Sequence, residues 1–279
     1  MQGNYNGVHE ELRRMSNVIR QWIIARSLAS EVGHIGSAFS IADIIAVLWG
    51  HVLRNPGTDV PDRDRFVLAK GHAALALYCA LKWKGLISEA DFASYCLDGS
   101  IFAAHPEQGI PSVEVATGSL GQGLSVAAGM ALGLRRDENP ARVFALLSDA
   151  ECNEGQVWEA VMFAAHQQLS NLIAIVDVNG MQALGRTEEI LDTSPMADKW
   201  QAFGWEAVTV DGHDVAALLA ALTSPRPERG KPLVVLAQTV LGKGVSFMHD
   251  KLEWHYRNLN PELAATALVE LGGNACEQP

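Results

Sequence analysis

The stretch VFALLSDAECNEGQVWEAVMFAAHQQLSNLIAIVDVN, residues 143–179, decides the fold. Val143 to Leu147 is a continuous apolar run, Gln156 to Leu169 carries apolar residues at helical spacing, and Leu172 to Val178 is a second apolar run. Short unbroken apolar runs suit strands buried on both faces. Strand, helix and strand in succession make a crossover, and crossovers join parallel strands. Such strands end on one edge of the sheet, where a crevice opens for ligands. Asp149 follows the first strand and Asn179 closes the second. If the strands are neighbours, about 4.8 Å apart, the two side-chain oxygens can converge on one hard cation. Magnesium takes few protein oxygens and completes its octahedron with water and phosphate, so Asp149, Asn179 and the backbone carbonyl of Met181 form a candidate set. Either Asp149 or Asn179 alone would more often be a turn or cap residue; it is the pair on successive strand ends that points to a cation.

Outward from this unit, the pattern stays α/β. From Glu11 to about Leu53 the apolar spacing predicts two amphipathic helices joined at Gly33-His34-Ile35-Gly36. Arg54 to Asp64 reads as a loop, Phe66 to Leu68 as a short strand, and the residues through Tyr78 and Leu81 as a helix. Asp98 to Gln122 is rich in Gly, Pro and Ser and reads as a long functional loop. Downstream, Pro195 to Phe203 and Val215 to Leu222 read as helices, and Ala207 to Val210 and Leu233 to Ala237 as strands. The fold class is α/β, a mostly parallel sheet with helices on both faces. After Gly244 the pattern fades, so a single domain over residues 1–271 and a flexible tail over 272–279 are expected.

Bulk properties narrow the partners. The 279 residues are 48% hydrophobic and 19% charged, enough to bury one large core. A net charge of −11 repels phosphate backbones and anionic headgroups, which argues against nucleic acid and membrane surfaces. No apolar run is long enough to span a bilayer and Met1 to His9 lacks the blocks of a signal peptide. Cys79, Cys96, Cys152 and Cys276 are widely separated, so neither a zinc site nor a disulfide framework is indicated. A cytoplasmic chain with reduced thiols is the expectation.

Four of the nine histidines sit at turns or helix edges: His34 in Gly-His-Ile-Gly, His72 in Lys-Gly-His-Ala-Ala, His105 in Ala-His-Pro-Glu and His255 in Glu-Trp-His-Tyr. From such positions each could point into a shared cleft, or be packed or solvated without a chemical role. His9, His51, His166, His213 and His249 are given no chemical role. The glycines of Thr117-Gly118-Ser119-Leu120-Gly121-Gln122-Gly123 let backbone approach a ligand, or form a turn capping the next helix. They do not make a dinucleotide fingerprint, because Val126 stands where the third glycine belongs.

The segment from Ser148 to Asn179 resembles the thiamine diphosphate motif, which begins Gly-Asp-Gly and ends downstream in Asn. The string Glu-Gly-Gln-Val-Trp-Glu-Ala at 154–160, the loop 117–123 and the histidine order 34, 72, 105, 255 look like transketolases in particular. The resemblance implies that Asp149, Asn179 and the Met181 carbonyl hold Mg²⁺ (or Ca²⁺/Mn²⁺) against the cofactor diphosphate. It implies further cofactor contacts at His72, Gly118, Leu120, Ala150, Glu154 and His255. His34, His72, His105 and His255 would orient substrate hydroxyls and move protons as a two-carbon ketol unit passes from a ketose to an aldehyde. Glu154 and Glu159 would reach an interface and link to the glutamate that activates the cofactor; a solvated pair is the alternative. Lys243 would approach the phosphates or remain an exposed loop lysine. Three positions depart from the family: Ser148 and Ala150 replace glycines, and Tyr256 replaces the glycine of Trp-His-Gly. A left-handed backbone at 150 would make alanine costly.

The resemblance runs from about residue 10 to about residue 260, and nothing after Leu259 has the length of a second sheet. The activating glutamate is therefore expected on a partner, a C-terminal transketolase subunit with the pyrimidine-binding domain, in an α2β2 assembly acting on sugars or sugar phosphates. A subunit of another thiamine diphosphate enzyme, such as a 2-oxo acid dehydrogenase E1 chain, and a non-catalytic subunit without cofactor are the alternatives.

Overall fold

The computed structural model describes residues 5–224 and 230–273. The strands in chain order are β1 (Arg65–Leu68), β2 (Val143–Ser148), β3 (Leu172–Val178), β4 (Met181–Gln182), β5 (Gly185–Arg186), β6 (Glu206–Asp211) and β7 (Leu233–Gln238). Five of them form one sheet in the order β1-β2-β3-β7-β6, and β4 and β5 form a small antiparallel hairpin. All neighbours in the five-stranded sheet are parallel. The unit at 143–179 is thus a crossover, with β2 and β3 adjacent and Ser148 opposite Asp177.

Side chains alternate between the faces of a strand, and both faces are covered. Phe144, Leu146, Ile173, Ile175 and Val235 enter one core, shared with the helices Tyr5–Ser30 and Ala74–Trp83. Val143, Ala145, Leu147, Ala174 and Val234 enter the other, shared with the helices Gln122–Arg136 and Gly155–His166. Each fully buried Leu, Ile, Val or Phe stabilises by roughly 1.5–3 kcal/mol relative to exposure, and the unbroken apolar runs are the signature of a sheet that uses both faces.

Three local readings change. The single helix expected after Gly36 is broken into Ile35–Ser40 and Ala42–Val47, followed by a π turn at Leu48–Val52. The region after Gly244 contains a helix, Pro261–Glu270, begun by the Asn260 side chain accepting from Leu263 N–H, with proline in the first turn. Gly272 and Gly273 close that helix through N–H bonds to Val269 and Leu268, so the expected tail does not start at 272, and residues 274–279 lie outside the described ones. Among the described residues no helix is long and apolar enough to cross a membrane, and Cys79, Cys96 and Cys152 are free thiols.

His213 is a strut. Its Nε2 accepts the Val240 N–H at 3.0 Å, so Nδ1 carries the proton given to Asp43 Oδ2 at 2.8 Å. Burial pushes the Asp43 carboxyl up, but Arg20 at 2.6 Å and His213 together hold it well below the carboxylate range. The helix Tyr5–Ser30, the helix Ala42–Val47 and the segment leaving β7 are tied together by these bonds.

The C-terminal edge of the sheet is pinned by a buried ion pair. Lys70, after β1, and Asp177, in β3, have fully buried side chains 2.5 Å apart. Asp177 also accepts from Ser40 Oγ at 2.7 Å, from Asn179 Nδ2 at 2.9 Å and from Thr239 Oγ1. Lys70 Nζ donates to the Ser37 carbonyl at 3.2 Å as well. Removing one partner of such a pair strands an uncompensated buried charge. Asp177→Ala is therefore expected to destabilise the chain by about 3–5 kcal/mol in urea unfolding, and Asp177→Ala combined with Lys70→Met to recover most of that loss. Equal stability of the wild type and the single variant would contradict this account.

Candidate active site

Asp149 leaves β2 on this edge with its carboxylate held by two backbone donors: Ala150 N–H to Oδ1 and Gly180 N–H to Oδ2, each at 2.8 Å. Burial, reinforced by the neighbouring Asp177, pushes the carboxyl up to about 7. Asn179 stands across from it. Because the Asp177 carboxylate only accepts, the amide nitrogen of Asn179 faces Asp177 and its Oδ1 is the outward atom, accepting the Met181 N–H at 2.9 Å. Two hard oxygens on adjacent strand ends, with the Met181 carbonyl one hairpin residue away, suit a small divalent cation that keeps other oxygen ligands. Among the described residues no three His, Cys, Asp or Glu side chains gather into a metal site, so a cation here would have one carboxylate, one amide and backbone.

The two departures at 148 and 150 resolve locally. Ser148 turns its Oγ back to accept the Glu151 N–H at 3.1 Å. Glu151 in turn accepts from Gly121 N–H at 2.8 Å and Ser148 N–H at 3.3 Å, and burial raises its carboxyl to about 7. Ala150 opens the 3-10 turn Ala150–Asn153 and is not among the residues with positive φ, so its methyl group carries no left-handed strain. Its N–H is engaged by Asp149 Oδ1. Gly121 must be glycine: its φ is +89°, and a Cβ there would stand 2.7 Å from the Glu154 Cβ. The Glu151 bond and this close approach hold the 117–123 loop against the end of β2.

The four histidines converge. The His34 ring centroid lies 5.5 Å from His72, 6.5 Å from His105 and 5.5 Å from His255, and His72 and His255 are 5.5 Å apart. His34 reaches inward because its backbone is left-handed, φ +65°, an uncommon state that its N–H bond to the His255 carbonyl at 3.1 Å helps to hold. His72 is anchored through Nε2 to Ser37 Oγ at 2.8 Å. His255 Nδ1 is buried with no partner among the described residues. Burial, with cationic neighbours adding, lowers the imidazoles of His34 and His72, His72 strongly, and takes His255 down to about 4. These three rings are neutral at pH 7, each able to donate from one nitrogen and accept at the other.

All four histidines, Gly118, Leu120, Ala150, Glu154, Asn179 and Met181 line one cavity of about 310 Å³. Asp149 borders a second cavity, of about 440 Å³, on the flank of Gly180. Glu154 is exposed at the start of the helix Gly155–His166, and Glu159, also exposed, lies outside the cavity wall, as do Lys243 and the remaining histidines. Sequence reasoning missed Lys70, Asp177, Ser37 and Glu151. Their signal was an ionisable residue closing an apolar strand and a lysine directly before Gly-His. The histidine cavity therefore offers Asn179 Oδ1 at one wall, an orphaned imidazole nitrogen and neutral proton carriers, and Asp149 borders the adjoining cavity beyond Gly180. That donor set fits a metal-bound diphosphate with a reacting group among the histidines.

Known proteins resemble this chain over most of its length. Residues 12–277 match the family model described as transketolase, thiamine diphosphate binding domain. The chain is 38% identical to the 6-deoxy-6-sulfo-D-fructose transketolase subunit SqwG of Clostridium sp., covering 94% of this chain and 96% of that one. It is 37% identical to an apulose-4-phosphate transketolase subunit of Actinobacillus succinogenes, covering 96% and 98%. The structure superposes on transketolase from Leishmania mexicana with a TM-score of 0.89 at 29% identity, over 96% of this chain and 42% of that chain. The chain belongs to the transketolase family, as its thiamine diphosphate-binding domain.

Proposed function

We propose that this chain is the diphosphate-binding subunit of a two-chain, thiamine diphosphate-dependent transketolase in the cytoplasm. It moves a two-carbon ketol unit from a ketose to an aldehyde, together with a second polypeptide that carries the pyrimidine-binding domain. The observation that carries this reading is the meeting of four histidines with Asn179 in one cavity at the sheet edge where Asp149 ends its strand. Relatives named as transketolase subunits match this chain nearly end to end, which supports a partner subunit, taken here as the second chain of an α2β2 complex.

In this reading Asp149, Asn179 Oδ1 and the Met181 carbonyl hold Mg²⁺, or Ca²⁺ or Mn²⁺ in its place. His72, His255, Gly118, Leu120, Ala150 and Glu154 wall the cofactor. Thiamine diphosphate, when bound, supplies the carbanion chemistry that accepts the two-carbon unit. His34, His72, His105 and His255 hold the hydroxyls of the ketose, and the neutral rings of His34, His72 and His255 take and return protons as the carbon–carbon bond breaks. The Ser37 bond keeps the His72 ring in one orientation, leaving its other nitrogen for a ligand. Glu154 extends toward the partner.

Co-expression with the neighbouring open reading frame, followed by ketol-transfer assays over a panel of free and phosphorylated sugars, tests the assignment. Asp149→Ala is expected to weaken calorimetric binding of thiamine diphosphate with Mg²⁺ by at least about 100-fold, beyond the effect of losing an outer-sphere partner. His72→Ala is expected to leave that binding within a few-fold and slow turnover by about 100-fold, within the range for a positioned acid–base group. Normal turnover by both variants would refute the site. Since Asp149 must lose its proton to solvent before it can bind the cation, and burial pushes its carboxyl up to about 7, metal-dependent affinity should fall by up to about tenfold per unit as pH drops below that value, with proton release on binding. Affinity independent of pH from 5.5 to 7.5 would contradict the role of Asp149.

A further inference from the structure

One side chain of the cavity stands at its mouth rather than in its depth. Tyr256 is 58% exposed, yet its ring lies 5.1 Å from His34 and 4.8 Å from His255, edge-on to both at 75° and 69°. It lines the same cavity as the four histidines. Its backbone is fixed from two sides. The Tyr256 N–H bonds to the Glu253 carbonyl at 3.3 Å, and a Cβ on Gly33 would stand 2.4 Å from the Tyr256 carbonyl oxygen, so the 33–34 turn is pressed against residue 256. The ring is therefore a built wall and not a loose surface group.

Its hydrogen-bonding capacity is unspent. Among the described residues no hydrogen bond engages the phenol hydroxyl, and in the neighbouring imidazole, its centroid 4.8 Å from the phenol ring's, His255 Nδ1 is buried without a partner. The residues lining the cavity include no lysine or arginine. A wall with an aromatic face, a phenol and imidazoles recognises a neutral, hydroxylated carbon chain rather than a charged end group. His72, half-buried, and His255, buried, are both less exposed than Tyr256, so a ketose held by its reacting end among the histidines would run outward past the phenol.

Resting on the transketolase reading, we infer that Tyr256 is a specificity-determining residue for the donor. Its ring packs against the C–H groups of the ketose beyond the reacting carbonyl, and its hydroxyl bonds one of the distal hydroxyls. Donors with an extended hydroxylated chain are thereby favoured over short ones.

The test compares the wild type, Tyr256→Phe and Tyr256→Gly, each assembled with the C-terminal subunit, on a four-carbon and a six-carbon ketose with one common aldehyde. Tyr256→Gly should raise KM for the six-carbon donor about 5- to 10-fold, the range for one aromatic contact, with kcat within about twofold and the four-carbon KM unchanged. Tyr256→Phe should keep most of the discrimination between the two donors. Tyr256→Leu, bulky but not aromatic, replaces the glycine variant if that one fails to fold, with the same expected direction. An unchanged ratio of the two KM values, or a kcat loss shared equally by both donors, would overturn the assignment. A wild-type assembly that transfers from neither ketose would instead overturn the transketolase reading on which it rests.

Discussion

The Lys70–Asp177 pair is the constraint on which the site depends. Taking two charges out of water costs several kcal/mol per ion, and only close contact with every remaining lone pair and proton satisfied offsets it. Asp177 meets that condition with donors from Ser40, Lys70, Asn179 and Thr239, and Lys70 adds the Ser37 carbonyl. These residues come from the helix Ile35–Ser40 and from the ends of β1, β3 and β7. The network closes in one relative placement of those segments, so its contribution is to position more than to stabilise. The placement sets two groups directly: the amide of Asn179 is turned with its oxygen outward, and Ser37 is set beneath His72.

Behind that wall the charge of Lys70 is spent on Asp177, and the buried side of the cavity, away from the exposed Glu154, is close to neutral. Burial lowers the imidazoles of His34, His72 and His255 and raises the carboxyls of Asp149 and Glu151 to about 7. A site of this kind repels neither a cation nor an anion, and it suits a pair that arrives together and balances. A divalent cation would favour the ionised form of Asp149, and a diphosphate would favour the protonated forms of the imidazoles, each reversing the shift that burial imposes. The chain can be acidic as a whole and still receive a phosphorylated cofactor, because the field in the cleft is set by groups within a few ångströms.

Two departures from the family pattern show how far residue identity carries. Ser148 and Ala150 raised the question of whether side chains obstruct the strand end. The answer lies in a backbone angle and a bond: Ala150 is outside the left-handed region, and the Ser148 hydroxyl is occupied with Glu151 N–H. The helix Pro261–Glu270 is the reverse case. Its start signals, Asn260 as cap and Pro261 in the first turn, stand in the sequence, but its alanine-rich body has a weak apolar stripe and gives little periodicity to read.

Short-range chemistry accounts for what could be read along the chain. Run length, crossover spacing, and Asp149 and Asn179 at strand ends are local features, and together they carried the parallel α/β fold and the candidate cation pair; the set His34, His72, His105 and His255 followed from the resemblance to transketolases. Which buried charges hold those features in register was decided by tertiary structure alone. Lys70 and Asp177 are separated by 107 residues, and Ser40 and Asp177 by 137. The electrostatic requirement that a buried charge find its partner acts through space and leaves no spacing to count. Likewise, nothing in the order of residues 33, 34, 255 and 256 says that they touch; the packing of the last loop on the first turn brings Tyr256 to the mouth of the cleft.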